Sequence, residues 1–293
     1  MTFNEGGSFE GGRVRSRRGG AIAGGGAGLL AVVGFLVFQF TGVDIGPVLE
    51  GAAGGGQQEQ EGTVGQCTAE QANTDQRCRL SATVQSLDAY WASVLAEAGA
   101  EGEVPRPEVY EFQDSTQSGC GQASAATGPF YCPPDQSIYL DLAFYDTLQS
   151  RFGASDGPLA EMYVTAHEYG HHIQNITGVM SSTDRSQAGS GSGQVRLELQ
   201  ADCFAGMWVG AAATTVDPDT GVTFLEPVTA EQLADALSAA EAVGDDRIQE
   251  ASGGQVDPHT WTHGSSEERQ RWFTRGYEEG TLAACDTFAA EGL

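Results

Sequence analysis

Two stretches of the chain carry apolar residues on a helical period with ionisable groups set among them. In the first, Leu159, Met162, Tyr163, Ala166, Tyr169 and Ile173 recur at three- and four-residue intervals, which predicts the buried face of an α-helix. Asp156 or Ser155 can cap its start, Pro158 suits its first turn, and Gly178 is a plausible stop. In the second, Leu197, Ala201, Phe204 and Trp208 form an apolar stripe over 195–208. The same period through Leu80, Val84, Leu87, Tyr90, Trp91 and Leu95 predicts a helix over 80–98, with further amphipathic helices over 231–249 and 265–279. Residues 137–141 read as a strand, and the polar, Gly/Ser-rich stretch 110–132 reads as loops with short strands. Residues 181–194, rich in Ser and Gly, read as a mobile loop joining the first two helices. The pattern is α+β, mainly helical with a small sheet, and has no internal repeat.

The N-terminal part follows a different rule. Residues 1–18 are rich in Gly and Arg and are expected to form a disordered, cytoplasmic basic tail. Residues 19–43 carry no charge and include Leu29, Leu30, Val32, Val33, Phe35, Leu36, Val37, Phe38 and Phe40. At about 1.5 Å per residue such a run can cross a bilayer core of about 30 Å as a transmembrane helix. Arg13, Arg15, Arg17 and Arg18 before it predict a cytoplasmic N-terminus. Residues 44–65, with their run of glycines followed by Gln and Glu, read as a flexible linker. A folded domain is then expected over 66–293, held to the cytoplasmic membrane on its outer side. A cleavable leader is the rival reading, and Ser16-Arg17-Arg18 has a twin-arginine look. Both readings place the domain outside the cytoplasm.

Charge and cysteines agree with that setting. The 293 residues carry a net charge of −26, which argues against nucleic acid as a partner because phosphate needs basic patches to neutralise it. Cys67, Cys78, Cys120, Cys132, Cys203 and Cys285 suit an oxidising compartment. Proximity suggests the pairs Cys67–Cys78 and Cys120–Cys132, with Cys203–Cys285 remaining. No C-x-x-C pair occurs, which disfavours cysteines as metal ligands.

The first helix holds His167-Glu168-Tyr169-Gly170-His171. Residues four apart lie on one helical face, so both imidazoles can grip one zinc ion, and Glu168 is placed to act as general base. A catalytic zinc needs three protein ligands and an open position. Glu198 on the second helix is the candidate third ligand, because a carboxylate among small and apolar neighbours is costly to bury unless a metal binds it. Asp202, one turn on, is the candidate to receive the second ring N–H of His167. His263 is the candidate donor to the oxyanion of the reaction, with His259 and Tyr169 as rivals, and His172 must point away from its neighbour's face. These groups describe metal-assisted hydrolysis of a peptide bond by an activated water.

The paired motifs, His167-Glu168-x-x-His171 and Glu198-x-x-x-Asp202, resemble the gluzincin pattern. More narrowly, the chain resembles a bacterial neutral zinc metallopeptidase family of membrane-anchored proteins. Residues 128–133, 138–141, 244–247 and 261–266 share in the likeness, which spans most of the chain. The resemblance implies a zincin-like fold, one Zn2+, a peptide or protein substrate, and a strand at 137–141 as the edge of the active cleft. Two other classes stay open: a zinc amidase acting on cell-wall material, and a non-catalytic binding protein that keeps the fold.

Overall fold

The computed structural model describes residues 3–18, 60–124 and 127–293. The strands are β1 (Ser8–Phe9), β2 (Val14–Arg18), β3 (Gln60–Thr63), β4 (Cys67–Thr68), β5 (Glu108–Gln113), β6 (Ser115–Ser118), β7 (Gly121–Ser124), β8 (Phe130–Cys132) and β9 (Ser137–Asp141). The helices are α1 (Ala69–Thr74), α2 (Gln76–Glu97), α3 (Ala143–Phe152), α4 (Pro158–Ile176), α5 (Val179–Ser182), α6 (Gly193–Ala211), α7 (Ala230–Ala242), α8 (Asp245–Ala251) and α9 (Ser266–Glu279). The expected α+β class with a small sheet is present.

Local chemistry explains the helix bounds. The α4 helix starts at Pro158 behind an extended Gly157, rather than at an Asp156 or Ser155 cap. Ser192 caps α6, its hydroxyl accepting from the Val195 amide at 3.2 Å. Ser265 and Glu268 form a reciprocal capping box at the start of α9. The helix expected over 231–249 is two, α7 and α8, separated at Gly244. A Cβ at Gly244 would meet the Ser266 backbone nitrogen at 2.5 Å, so the chain turns there beneath the start of α9.

The α4 helix is the hub. It packs on α2, α6 and α7 and against β8 and β9, and all of its residues from Leu159 to Gln174 except Glu161 and His171 are buried. The α6 helix is pressed between α4 and α9. A Cβ at Gly276 of α9 would collide with the Cys203 carbonyl of α6, so these two helices touch backbone to backbone.

The five-stranded sheet runs β3-β2-β5-β9-β8. Its β2, β5 and β9 are parallel, and β3 and β8 are antiparallel flanks. This corrects the expected edge: β9 is interior and buried at all five positions, while β8 is the edge. Three residues bounded by Pro129 and Pro133 are too short for period-two alternation to reveal.

A second correction concerns residues 3–18. Expected as a disordered tail, they belong to the folded unit. Phe3, Phe9 and Val14 are buried, β1 pairs with β4, and β2 lies between β3 and β5. Arg13 grips the buried Asp88 of α2 with Nε–Oδ2 2.6 Å and Nη2–Oδ1 2.9 Å, and Asp88 also accepts from the Tyr169 hydroxyl of α4 at 2.9 Å. The expected boundary near Cys67 therefore misses the first strands. The transmembrane helix expected over 19–43, and the expected linker as far as residue 59, lie outside the described residues. Among the described residues no helix is long and apolar enough to cross a membrane. Arg18 and Gln60 are register partners, so these two residues stand side by side in the sheet.

The cysteines pair as proximity suggested: Cys67–Cys78, Cys120–Cys132 and Cys203–Cys285. Substituting Arg13→Ala should cost about 3 kcal/mol of stability, because it strips the main cation from a buried carboxylate. The urea midpoint of the full chain measures this, and an unchanged midpoint would return residues 3–18 to a detachable tail.

Candidate metal centre and active site

The metal-binding groups converge where α4 meets α6. A Cβ at Gly170 would lie 3.1 Å from the Ala201 Cα, so a glycine inside the His-Glu-x-Gly-His turn lets the helices close. His167, His171 and Glu198 each offer a donor atom, all within 4.8 Å of one another. His167 Nε2 stands 3.1 Å from Glu198 Oε2, and His171 Nε2 stands 3.5 Å from Glu198 Oε1. Donors on a tetrahedral zinc with bonds of about 2.0–2.1 Å lie roughly 3.3 Å apart. The donor set and its spacing therefore fit zinc, with room on the cleft side for a further ligand.

Charges beneath this cluster are tightly organised. Asp202, fully buried on α6, accepts from His167 Nδ1 at 2.8 Å, from the Tyr163 hydroxyl at 2.5 Å, and from Arg269 of α9 through Nε at 2.9 Å and Nη2 at 3.0 Å. Burial alone would raise the Asp202 pKa, but Arg269 and His167 outweigh it and hold the carboxylate below its usual range. An ionised Asp202 can only accept, so His167 carries its proton on Nδ1 and turns Nε2 to the metal position. Burial would likewise raise Glu198, yet His171 and His263 hold it well below the ordinary value. The Gln194 side-chain amide donates to Glu198 Oε1 at 3.3 Å. Glu168 is different: burial pushes its pKa up, only partly countered by His171 and His167, which makes it the more basic carboxylate of the site.

His263 reaches the same cleft from the turn before α9. Asp245 Oδ2 accepts from the backbone amides of Thr262, His263 and Gly264 at 2.7, 2.7 and 3.0 Å, while Oδ1 lies 3.3 Å from His263 Nδ1. One carboxylate thus shapes the turn and, together with the Thr262 hydroxyl 2.8 Å from Nδ1, orients the ring, which lines the cleft. Burial would lower the His263 pKa, but Glu198 and Asp245 raise it above the usual value. The rivals fall away. Tyr169 is spent on Asp88, and His259 is exposed on a 3-10 turn that does not line the cleft. His172 is buried as a strut. Its Nε2 donates to the Pro105 carbonyl at 2.8 Å, which leaves Nδ1 to accept from the Tyr131 hydroxyl of β8 at 3.1 Å.

The cleft is about 510 Å³ and is lined by Phe130, Tyr131, Phe144, Val164, Met180 and Val243 beside the ionisable groups. A larger groove of about 910 Å³ opens on the other side of the 183–193 loop, away from the histidine pair. Sequence reading placed His167, Glu168, His171, Glu198, Asp202 and His263 in one site, and the structure brings all six together. It missed Tyr163, Asp245 and Arg269. Tyr163 looked like part of an apolar stripe, and Asp245 like one member of a structural charge cluster with Asp246 and Arg247. Arg269 sits four residues after Ser265 on a polar helix; its only signal was a basic residue in register with Trp272 and Phe273.

Glu198→Ala should lower zinc content by elemental analysis to well below one equivalent. Full occupancy would mean that another group supplies the third ligand.

Comparison with known proteins agrees with this geometry. The model of a family described as "Putative neutral zinc metallopeptidase" matches residues 4–288. The "Uncharacterized protein Rv2575" of Mycobacterium tuberculosis is 47% identical over 229 residues, covering 78% of this chain and 76% of that protein. The "Uncharacterized protein Mb2605" of Mycobacterium bovis matches to the same extent. The "Uncharacterized protein YpfJ" of Escherichia coli K12 is 34% identical over 267 residues, covering 89% and 86% of the two chains. No solved structure matches the chain. The family match runs through both helices of the metal site and through β2, and the chain belongs to the neutral zinc metallopeptidase family.

Proposed function

We propose that the protein hydrolyses peptide bonds, with one zinc held by His167, His171 and Glu198 and with Glu168 as general base. The observation that carries this reading is the meeting of two imidazole Nε2 atoms, the Glu198 carboxylate and the more basic Glu168 in a single cleft. Zinc bound there supplies a Lewis acid for the attacking water and the scissile carbonyl. Glu168 takes the proton of that water and delivers it to the leaving amine. His263, held by Asp245, donates to the oxyanion that forms on the carbonyl oxygen.

Substrate geometry follows from the sheet. The outer side of β8 has no strand partner among the described residues, and Phe130 and Tyr131 of this strand line the cleft. An extended peptide can add there by main-chain hydrogen bonds, which favours a peptide over a compact amide substrate. The three disulfides support action in an oxidising compartment outside the cytoplasm.

Glu168→Gln should retain zinc yet lose casein hydrolysis by about 10²-fold or more. Equal turnover would remove Glu168 as the base, and loss confined to cell-wall fragments in a parallel panel would favour an amidase. His263→Ala should lower kcat by about 10²–10³-fold with zinc content unchanged. An unaltered kcat would leave His263 a structural residue.

A further inference from the structure

The two histidines of the candidate centre are oriented by different chemistry. His167 gives its Nδ1–H to the charged Asp202. His171 faces a neutral partner: its Nδ1 lies 2.8 Å from Oε1 of Gln174, one turn further along α4. Gln174 is fully buried. Its Nε2 reaches across to α6, to the Leu197 carbonyl at 2.7 Å and to Gln200 Oε1 at 3.1 Å. Gln200 Nε2 in turn reaches the Cys285 carbonyl at 3.0 Å.

The polarity of this chain is not free. Leu197 O and Cys285 O are backbone carbonyls and can only accept. Each therefore faces an NH2 group, which fixes which end of Gln174 and of Gln200 is oxygen. Gln174 then presents Oε1 to His171 and can only accept, so His171 must carry its proton on Nδ1. The lone pair of Nε2 is left facing Glu198. Leu197 directly precedes Glu198, so one amide ties the second histidine to the backbone beside the third ligand. The far end rests on a segment that is itself fastened to α6. Cys285 is bonded to Cys203. Arg196 donates to the Thr287 carbonyl and, at 3.3 Å, to the Ala290 carbonyl, while the Thr287 hydroxyl returns a bond to the Arg196 carbonyl at 2.7 Å.

We infer that Gln174 is a positioning residue for the metal, holding His171 as the Nδ1–H tautomer, and that Gln200 and the C-terminal segment around Cys285 fix the direction of its amide. The inference rests on the reading of His167, His171 and Glu198 as zinc ligands. It assigns the C-terminal segment a part in metal retention, although none of its residues is a zinc ligand.

The test uses the full chain and zinc alone. Zinc Kd is measured by competition with a chromophoric chelator for the wild type, Gln174→Met, Gln200→Met and the double variant, with the melting of each zinc-free protein recorded beside it. Gln174→Met should raise the zinc Kd about 10–100-fold, as the loss of a partner behind a ligating histidine does. Gln200→Met should raise it less. The double variant should be no worse than Gln174→Met, because the chain is already cut. A role in packing alone would lower zinc-free melting and leave Kd unchanged, and that result overturns the inference, as does full additivity of the two substitutions. A wild type that binds no zinc overturns the metal-site reading itself, which separates the two failures. Nitrogen NMR of the zinc-loaded wild type needs no variant. His171 should show a protonated Nδ1 that exchanges slowly with solvent, and a bare Nδ1 on His171 overturns the assignment.

Discussion

The Asp202 carboxylate organises the site. A buried charge of this kind is tolerated only when it is paired and hydrogen-bonded. Here the partners come from two other helices, His167 and Tyr163 on α4 and Arg269 on α9, while Asp202 itself stands on α6. Satisfying one carboxylate thereby fixes how these helices sit. It also selects the His167 tautomer, and with it the direction of the nitrogen that a metal would use. Arg269 matters as much as the histidine, because without a cation the carboxylate would draw a proton and stop orienting the ring.

The remaining architecture brings backbones close enough for that network to form. Gly170 permits α4 to approach Ala201 of α6, and Gly276 permits α9 to approach Cys203. Arg13 and Asp88 anchor the other flank of α4 through Tyr169. His172 holds β8 through Tyr131, so the residue after His171 steadies the edge strand of the cleft. The motif segment 167–174 therefore faces five tasks at once: His167 and His171 toward the metal position, Glu168 into the cleft, Tyr169 toward Asp88 of α2, His172 toward β8, and Gln174 toward α6. A helix that turns successive side chains by about 100° divides the work among its faces.

Much of this was legible in the chain. The histidine spacing, the Glu198 and Asp202 pair and the apolar stripes around them follow from helical geometry, which is local. The three disulfides followed the simplest pairing by proximity. What escaped was non-local. The β2 strand reads VRSRR, with no apolar alternation, because it lies inside a sheet whose pairing partners are distant in sequence. β9 was recognised as a strand, but its neighbours were not, so its interior place could not be seen. The task of Asp245 was hidden because its partners, the amides of 262–264, lie on a turn 17 to 19 residues further along the chain.

The sequence by itself determined which residues could hold a metal ion, since imidazole and carboxylate types at helical spacing bring them to one face within a few turns. Only the tertiary structure decided which nitrogen of each histidine faces the metal, which strand borders the cleft, and that the first residues belong to the same folded unit. Those depend on hydrogen-bond acceptors and strand partners brought together from 67 to 95 residues away, as with Arg269 and Asp202 or Ser16 and Glu111, and no local pattern specifies them.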